Sequence, residues 1–251
     1  MAQHYVYQFY AELEDFEPKI WRRFEIAGTK TIAELGYTLM VLFEMTASHL
    51  FCITEDKQKA FKEHLRKTYT EKELEEFFKT HKLDDLAKNW KFELDFGEER
   101  WTAPNEELYD ADKITLKQTT ACEGWELNFN YDYGDDWNVK LVLEKCEKKE
   151  VSLAALPNVI DGAGVGIIED VGGTGGLENF IEVMKKGKGK GKEFEEFFRW
   201  YGTSNFDITH FDKDDLNFRL KKLVRVYKEA YEYGYEPTQK SIDIIERKYM
   251  C

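Results

Sequence analysis

The stretch Trp125-Glu126-Leu127-Asn128-Phe129-Asn130-Tyr131-Asp132-Tyr133-Gly134-Asp135-Asp136-Trp137-Asn138-Val139-Lys140-Leu141-Val142-Leu143 decides the fold class. Apolar and aromatic residues hold the odd positions from Trp125 to Tyr133, and Glu126, Asn128, Asn130 and Asp132 hold the even ones. Successive side chains of a strand point to opposite faces, so this alternation predicts a strand with one buried face. Gly134-Asp135-Asp136 supplies turn residues, and Trp137, Val139, Leu141 and Leu143 resume the alternation, which predicts an antiparallel hairpin.

Working outward, the same period recurs at Tyr5, Tyr7, Phe9, Ala11 and Leu13, and at Trp90, Phe92, Leu94 and Phe96. The segment from Pro18 to Ile26 reads as a further strand that Gly28 ends, and Lys113–Lys117 as a linker or short strand. Thr31 and Glu34 have capping-box spacing, and Ile32, Leu35, Leu39, Leu42 and Phe43 follow at helical intervals, predicting an amphipathic helix over residues 31 to about 46. Between Asp56 and Trp90 a second box, Thr70 with Glu73, precedes Leu74, Phe77 and Phe78; this predicts two helices inserted on the core at about 56–90. Residues 162–176 hold seven glycines, and Leu177, Phe180, Ile181 and Met184 then predict a helix. A low-complexity basic loop spans Lys185 to Lys192, and a short helix carrying Phe194, Phe197, Phe198 and Tyr201 is capped by Gly202. A long helix starts near Lys213 or Asp214, carries Leu216, Leu220, Leu223, Val224 and Tyr227, and stops near Gly234; a last one follows Pro237 over 238–249. The expected class is α+β, a largely antiparallel sheet packed with helices, with a core over 1–222 and a helical extension over 223–251.

Composition excludes several classes. With 251 residues, 42% hydrophobic and 15% aromatic, the chain can bury a large core, so disordered and collagen-like readings fail. Lys and Arg number 36 against 49 Asp and Glu, a net charge of -13, which disfavours nucleic acid as a partner, though a local basic patch remains open. No apolar run approaches the roughly 18 residues of a membrane helix, and the N-terminus lacks signal-peptide character, so the expectation is a soluble, cytoplasmic chain without a membrane partner. Cys52, Cys122, Cys146 and Cys251 form no C-x-x-C pair, which speaks for free, mostly buried thiols rather than a zinc site or disulfides.

Several segments together resemble the plasmid pRiA open-reading-frame-three-like proteins, often described as passengers of insertion elements. The matching pieces are Pro18-Lys19-Ile20-Trp21-Arg22-Arg23, Ser48-His49-Leu50, the hairpin motif Tyr131-Asp132-Tyr133-Gly134-Asp135-Asp136-Trp137, Glu169-Asp170-Val171-Gly172-Gly173, and Phe206-Asp207 to Phe211-Asp212 with Asn217 and Leu220. They follow the family's order over about residues 5–222. The chain departs from the family at Val139, where a His is usual, and at Ile167, Ile168 and Val171, where prolines and often a cysteine are usual. The resemblance implies an α+β fold, mobile-element company and no settled biochemical activity.

The sharpest constellation is Asp132, Asp135 and Asp136 with Glu169 and Asp170, joined by His49. Carboxylates on two loops could hold a divalent metal ion, since hard cations take oxygen ligands; no other cofactor is indicated. The simpler reading is turn duty, because Asp accepts hydrogen bonds from turn amides. The glycine loop, with Gly172 and Gly173, lacks both the P-loop ending and the dinucleotide fingerprint, so tight turning is favoured over phosphate binding. Trp21, Arg22 and Arg23, with the lysine run, are the basic foci, and Tyr131 and Trp137 the aromatic ones. No nucleophile elbow or H-E-x-x-H is present. The leading expectation is a non-enzymatic accessory protein that binds an unknown protein partner through this aromatic and acidic surface; the alternative is a divalent-metal-assisted hydrolase or nuclease.

Overall fold

The computed structural model describes residues 2–119, 122–186, 191–201 and 206–250. Its strands are β1 (Gln3–Leu13), β2 (Trp21–Ala27), β3 (Phe51–Glu55), β4 (Asn89–Glu93), β5 (Glu106–Asp110), β6 (Glu126–Tyr131), β7 (Trp137–Glu150) and β8 (Asn158–Ala163). They form one sheet in the order β5-β4-β3-β6-β7-β1-β2-β8. Every neighbouring pair is antiparallel except β4 with β5. The helices are α1 (Ile32–Leu42), α2 (Lys57–Arg66), α3 (Glu71–Thr80), α4 (Leu83–Leu86), α5 (Gly173–Lys186), α6 (Lys192–Tyr201), α7 (Lys213–Tyr233) and α8 (Gln239–Ile245). The fold is α+β, as the hairpin pattern requires. Gly202 and the lysine-glycine stretch over 187–190 lie outside the described residues.

The period-2 residues explain why the sheet has two unlike faces. Phe9, Ala11, Leu13, Leu127, Phe129, Tyr131, Val139, Leu141 and Leu143 are all buried on one side. The other side carries Gln8 and Arg23, both donating to Glu144, and a row of asparagines on β6 and β7. Tyr5 departs from its expected buried position and is half exposed, because Val6 instead packs with Ala27 and Leu156 in a small separate cluster.

The expected amphipathic helix is α1, and the structure corrects both its character and its end. Its capping box forms as the spacing predicts, with the Glu34 amide donating to Thr31 Oγ1 and the Thr31 amide to the Glu34 carboxylate. All its other residues are buried, because α1 lies between the sheet and α7. Tyr37 joins the layers directly, in a triad of rings with Phe51 of β3 and Tyr231 of α7 in which each touches the other two. A helix buried all round needs no polar face. It stops at Leu42 rather than near residue 46, because Glu44 turns into the left-handed region at φ 66 and carries its carboxylate inward.

Three strands escape the sequence pattern. β3 is central and covered on both faces, so it reads as the short run Phe51-Cys52-Ile53 without alternation. β5 and β8 are the sheet's edges, five and six residues long, where little of the pattern is buried. The segment 113–117 forms only a single bridge, Thr31 to Thr115, before a 3-10 turn at Leu116–Gln118. The hairpin is shorter than expected: Tyr131 and Trp137 are its last pair, so Tyr133 belongs to a five-residue turn, with its ring half exposed. Helices α2 to α4 join neighbouring strands β3 and β4, and Leu74 is their one buried side chain among the described residues. Cys52 is buried, Cys146 half-buried and Cys122 exposed, all as free thiols, while Cys251 lies outside the described residues. Among the described residues no helix is long and apolar enough to cross a membrane.

Two buried cations tie the layers together. Arg22 of β2 is fully enclosed and donates to five carbonyls: Leu42 at 2.9 Å, Trp21 at 2.8 Å, Ala163 at 2.7 Å, Gly164 at 2.8 Å and Val165 at 2.6 Å. Its guanidinium lies between the rings of Phe43 and Phe211, and burial lowers its pKa to about 10. Around the corner, the Glu44 carboxylate accepts from Arg219 of α7 and from Arg247 just beyond α8, and Arg247 also reaches Asp215. The pairing thus pins the last helices to the turn after α1.

Replacing Arg22 by Lys leaves several enclosed carbonyls without a donor, since an ammonium has three donors and no planar fork. Chemical denaturation is expected to show a loss of about 3 kcal/mol. Burial alone would raise the Glu44 carboxyl, but Arg219 and Arg247 hold it below its usual range. A depressed folded-state pKa contributes stability that is complete above the unfolded value of about 4.3 and is lost as pH falls through the folded value. Glu44→Gln should therefore cost about 3 kcal/mol at pH 7 and progressively less below about pH 4, when denaturation is followed across pH.

Candidate functional site

Three loops meet at one end of the sheet: the turn after α1, residues 43–50; the β6–β7 turn, Asp132–Asp136; and the glycine loop before α5, residues 164–172. Arg22 fixes the third against the first through its bonds to Leu42, Gly164 and Val165. The Ile167 amide adds a bond to the Phe43 carbonyl at 2.9 Å, and Gly166, at φ 138, lies so close that a Cβ would sit 2.5 Å from that oxygen. The second and third loops are held by Asp135, whose Oδ2 accepts from the Gly172 amide at 3.0 Å. Gly173, at φ 68, packs against the Asp135 carbonyl, where a Cβ would come within 2.4 Å.

These contacts bring together His49, Asp132 and Asp170. One ligand-capable atom of each lies within 4.8 Å of the others. His49 Nε2 is 3.2 Å from Asp170 Oδ1, 3.6 Å from Asp132 Oδ2 and 3.7 Å from Glu169 Oε1. Backbone torsions aim the two aspartates, since Asp132 at φ 57 and Asp170 at φ 56 both occupy the left-handed region. Asp tolerates that region better than most residues because its side chain can bond locally. The Gly134 amide does so, donating to Asp132 Oδ1 at 3.0 Å and leaving Oδ2 toward His49.

Glu169 is positioned by the fold rather than left free. Tyr131 Oη donates to its Oε1 at 2.6 Å, Ser48 Oγ to the same oxygen at 3.2 Å, and the Thr46 amide to Oε2 at 3.0 Å. Burial, and then the Glu169 charge, push the Tyr131 hydroxyl far above its ordinary pKa, so it stays a donor. The first loop is steadied by α7: Tyr227 Oη donates to the Met45 carbonyl at 2.9 Å, and Tyr231 Oη donates to the His49 carbonyl.

The remaining sequence candidates divide. Asp135 and Asp136 stand in the same turn but outside the cluster, Asp135 on the Gly172 amide and Asp136 accepting from Asn130 Nδ2 at 2.6 Å. The phosphate reading of the glycine loop is weakened by the same contact, because Asp135 already occupies the amide at the start of α5. Arg22, taken from sequence as a possible phosphate or partner contact, is enclosed and spent on carbonyls. Trp137, taken as a partner contact, is fully buried as the cross-strand partner of Tyr131. Trp21 and Arg23 do face outward, with Trp21 stacked on Tyr10 and Arg23 bonded to Glu144. Thr46, Tyr227 and Tyr231, which also hold the site, carry no site motif in the sequence. The two tyrosines stand four apart on one helix face, a signal present in the sequence but indistinguishable there from core packing.

Gly173→Ala adds a Cβ both in a left-handed backbone and against the Asp135 carbonyl. The expected result is a stability loss of about 2 kcal/mol by denaturant titration. Gly175→Ala, where a Cβ meets nothing within 4 Å, should be close to neutral.

Comparisons with known proteins agree with this architecture. No curated protein matches the chain. A crystal structure of a protein of unknown function from Methanosarcina mazei Go1 superposes with a TM-score of 0.60 at 23% identity, covering 84% of this chain and 96% of that one. At that identity the likeness shows the fold alone. The sequence profile of the plasmid pRiA4b ORF-3-like proteins matches residues 5–215, which takes in the arginine-bearing strand, all three site loops and the start of α7. On the strength of that match the chain belongs to the plasmid pRiA4b ORF-3-like protein family.

Proposed function

We propose that the loop cluster is a divalent-cation site and that the protein is a metal-assisted hydrolase. The observation that carries this reading is the convergence of His49, Asp132 and Asp170 from three separate loops, with ligand atoms 3.2 and 3.6 Å from the imidazole nitrogen. Ligands about 2.0–2.1 Å from a tetrahedral ion stand about 3.3 Å apart, so little movement is needed to close around one. An imidazole in the set favours zinc over magnesium or calcium. Three protein ligands leave a position open, and a bound ion there would supply a Lewis acid that acidifies water. The chain's own part is to hold the ligands: Tyr231 fixes the His49 backbone, and Tyr131, Ser48 and Thr46 fix Glu169 beside it, where its carboxylate could take a proton.

A second reading is the accessory protein of mobile elements, bound to a protein partner. Its support is the set of large exposed aromatics, among them Trp101, Tyr133 and Phe96. The two readings separate on metal dependence.

Elemental analysis of protein purified without chelator, with thermal melts in Mn²⁺, Zn²⁺, Mg²⁺ and chelator, tests the proposal. Saturation at a hundredfold over Kd should add about 2.7 kcal/mol of stability, lost in His49→Ala and in Asp132→Asn. Phosphoester hydrolysis should then follow the same ion. An unchanged melt with every ion would sink the metal site, and a stabilising ion without hydrolysis would return the protein to the accessory reading.

A further inference from the structure

The polar face of the sheet carries a cleft of about 620 Å³ whose lining includes none of His49, Asp132, Glu169 and Asp170. Its floor is the row Asn128, Asn130 and Asn138 on β6 and β7, and its overhang is the connection from Leu94 to Trp101 that follows β4. The β6–β7 turn serves both places, with Asp132 facing the loop cluster and Asp136, four residues on, lining the cleft. The volume lies within the range of small-molecule sites, roughly 300–1,000 Å³.

The cleft's hydrogen-bond inventory is one-sided. Its cations are already used: Lys91 pairs with Glu93 at 2.8 Å and donates to the Trp101 carbonyl, and Arg100 pairs with Asp110 at 2.9 Å. Tyr133 Oη donates to Glu93 at 2.8 Å. The amides are oriented by their own network. Asn138 Nδ2 donates to the Asp136 carbonyl, so its Oδ1 faces inward and accepts from both Asn128 and Asn130. Asn128 Oδ1 is left enclosed without any donor, so the floor runs short of donors before it runs short of acceptors. Five carboxylates line the cleft against two cations, and three of the five, Glu98, Glu99 and Asp136, are exposed and form no ion pair among the described residues; of these Asp136 already accepts from Asn130. Over this acidic surface stand Trp101, 74% exposed, Tyr133 and Phe96.

An anion is repelled by that balance, and a neutral ligand gains no charge pairing from Glu98 and Glu99. A donor-only cation with a flat or apolar body answers every feature: it brings N–H groups where acceptors are in excess, and its charge lies against aromatic faces. We infer that this cleft binds an organic cation of the guanidinium type, stacked on Trp101 and paired with Glu98 and Glu99. The chemistry is shared by a free guanidinium compound and by an arginine side chain in a peptide.

Isothermal titration of the full chain with L-argininamide, agmatine and a blocked Ala-Arg-Ala peptide, with L-citrullinamide as the uncharged isostere, tests the assignment. Saturable binding of the cations is expected, with none for citrullinamide. Trp101→Ala should weaken binding about tenfold, and added salt or the Glu98→Gln/Glu99→Gln pair should also weaken it. These three side chains are exposed, so the variants should keep the parent's circular dichroism and melting temperature. Equal affinity for all three cations marks a small-molecule site; a peptide bound tenfold tighter than argininamide marks a peptide site. No saturable binding by any of the cations, equal binding of citrullinamide, or binding unchanged in Trp101→Ala overturns the inference.

Discussion

The structure turns on one enclosed guanidinium. Arg22 rises from β2 into the layer between sheet and helices and donates to carbonyls at the end of α1, on β2 itself, at the end of β8 and on the glycine loop. An enclosed charge is tolerated only when its desolvation is offset by good partners, and here five carbonyl dipoles make the direct contacts while the Glu44 charge acts from farther off. Three of those carbonyls, on Leu42, Gly164 and Val165, lie at the end of α1 and in the glycine loop, outside the sheet's strands. The aromatic rings of Phe43 and Phe211 close the remaining sides. Everything at that end of the sheet, including the glycine loop that delivers Glu169 and Asp170, takes its position from this arrangement.

The candidate site is accordingly a product of loops held from outside. Its residues come from segments about 40 to 120 positions apart in sequence, and each segment is steadied by something other than the site itself. Arg22 holds the glycine loop, Asp135 joins that loop to the hairpin turn, and Tyr227 and Tyr231 hold the turn after α1. Left-handed torsions at Asp132 and Asp170 are local costs that the surrounding bonds sustain. Both tyrosines lie on α7 beyond residue 222, and Arg247 reaches back to Glu44, so the last thirty or so residues are built into the core and into the site.

The hairpin divides the protein's chemistry between two faces. Its turn places Asp132 toward an imidazole and two further carboxylates, and Asp136 toward an asparagine row and a cleft rimmed by aromatics. Because strand side chains alternate, a single motif of alternating residues supplies the buried ring of Tyr131 to one side and Asn130 to the other.

Much of this was legible in the chain alone. The period-2 runs at 5–13 and 125–143, the capping boxes at Thr31 and Thr70, and the helix ended by Gly234 each rest on local rules, so they identified the α+β class and most elements. The family motif likewise falls on loops that the fold brings together. What the sequence could not supply was anything dependent on distance through space. β3, buried on both faces, has no alternation to read, and the short edge strands β5 and β8 have too little burial to impose one. Arg22 and Arg23 are adjacent and identical in type, yet the pleat sends one into the core and the other to the open face. Of the five acidic candidates, tertiary packing alone separated Asp132, Glu169 and Asp170, which meet His49, from Asp135 and Asp136, which serve the turn and its neighbours. The sequence by itself determined the elements, because periodicity and capping are local; the tertiary structure decided which side chains share a site, because that depends on how layers and loops close on one another.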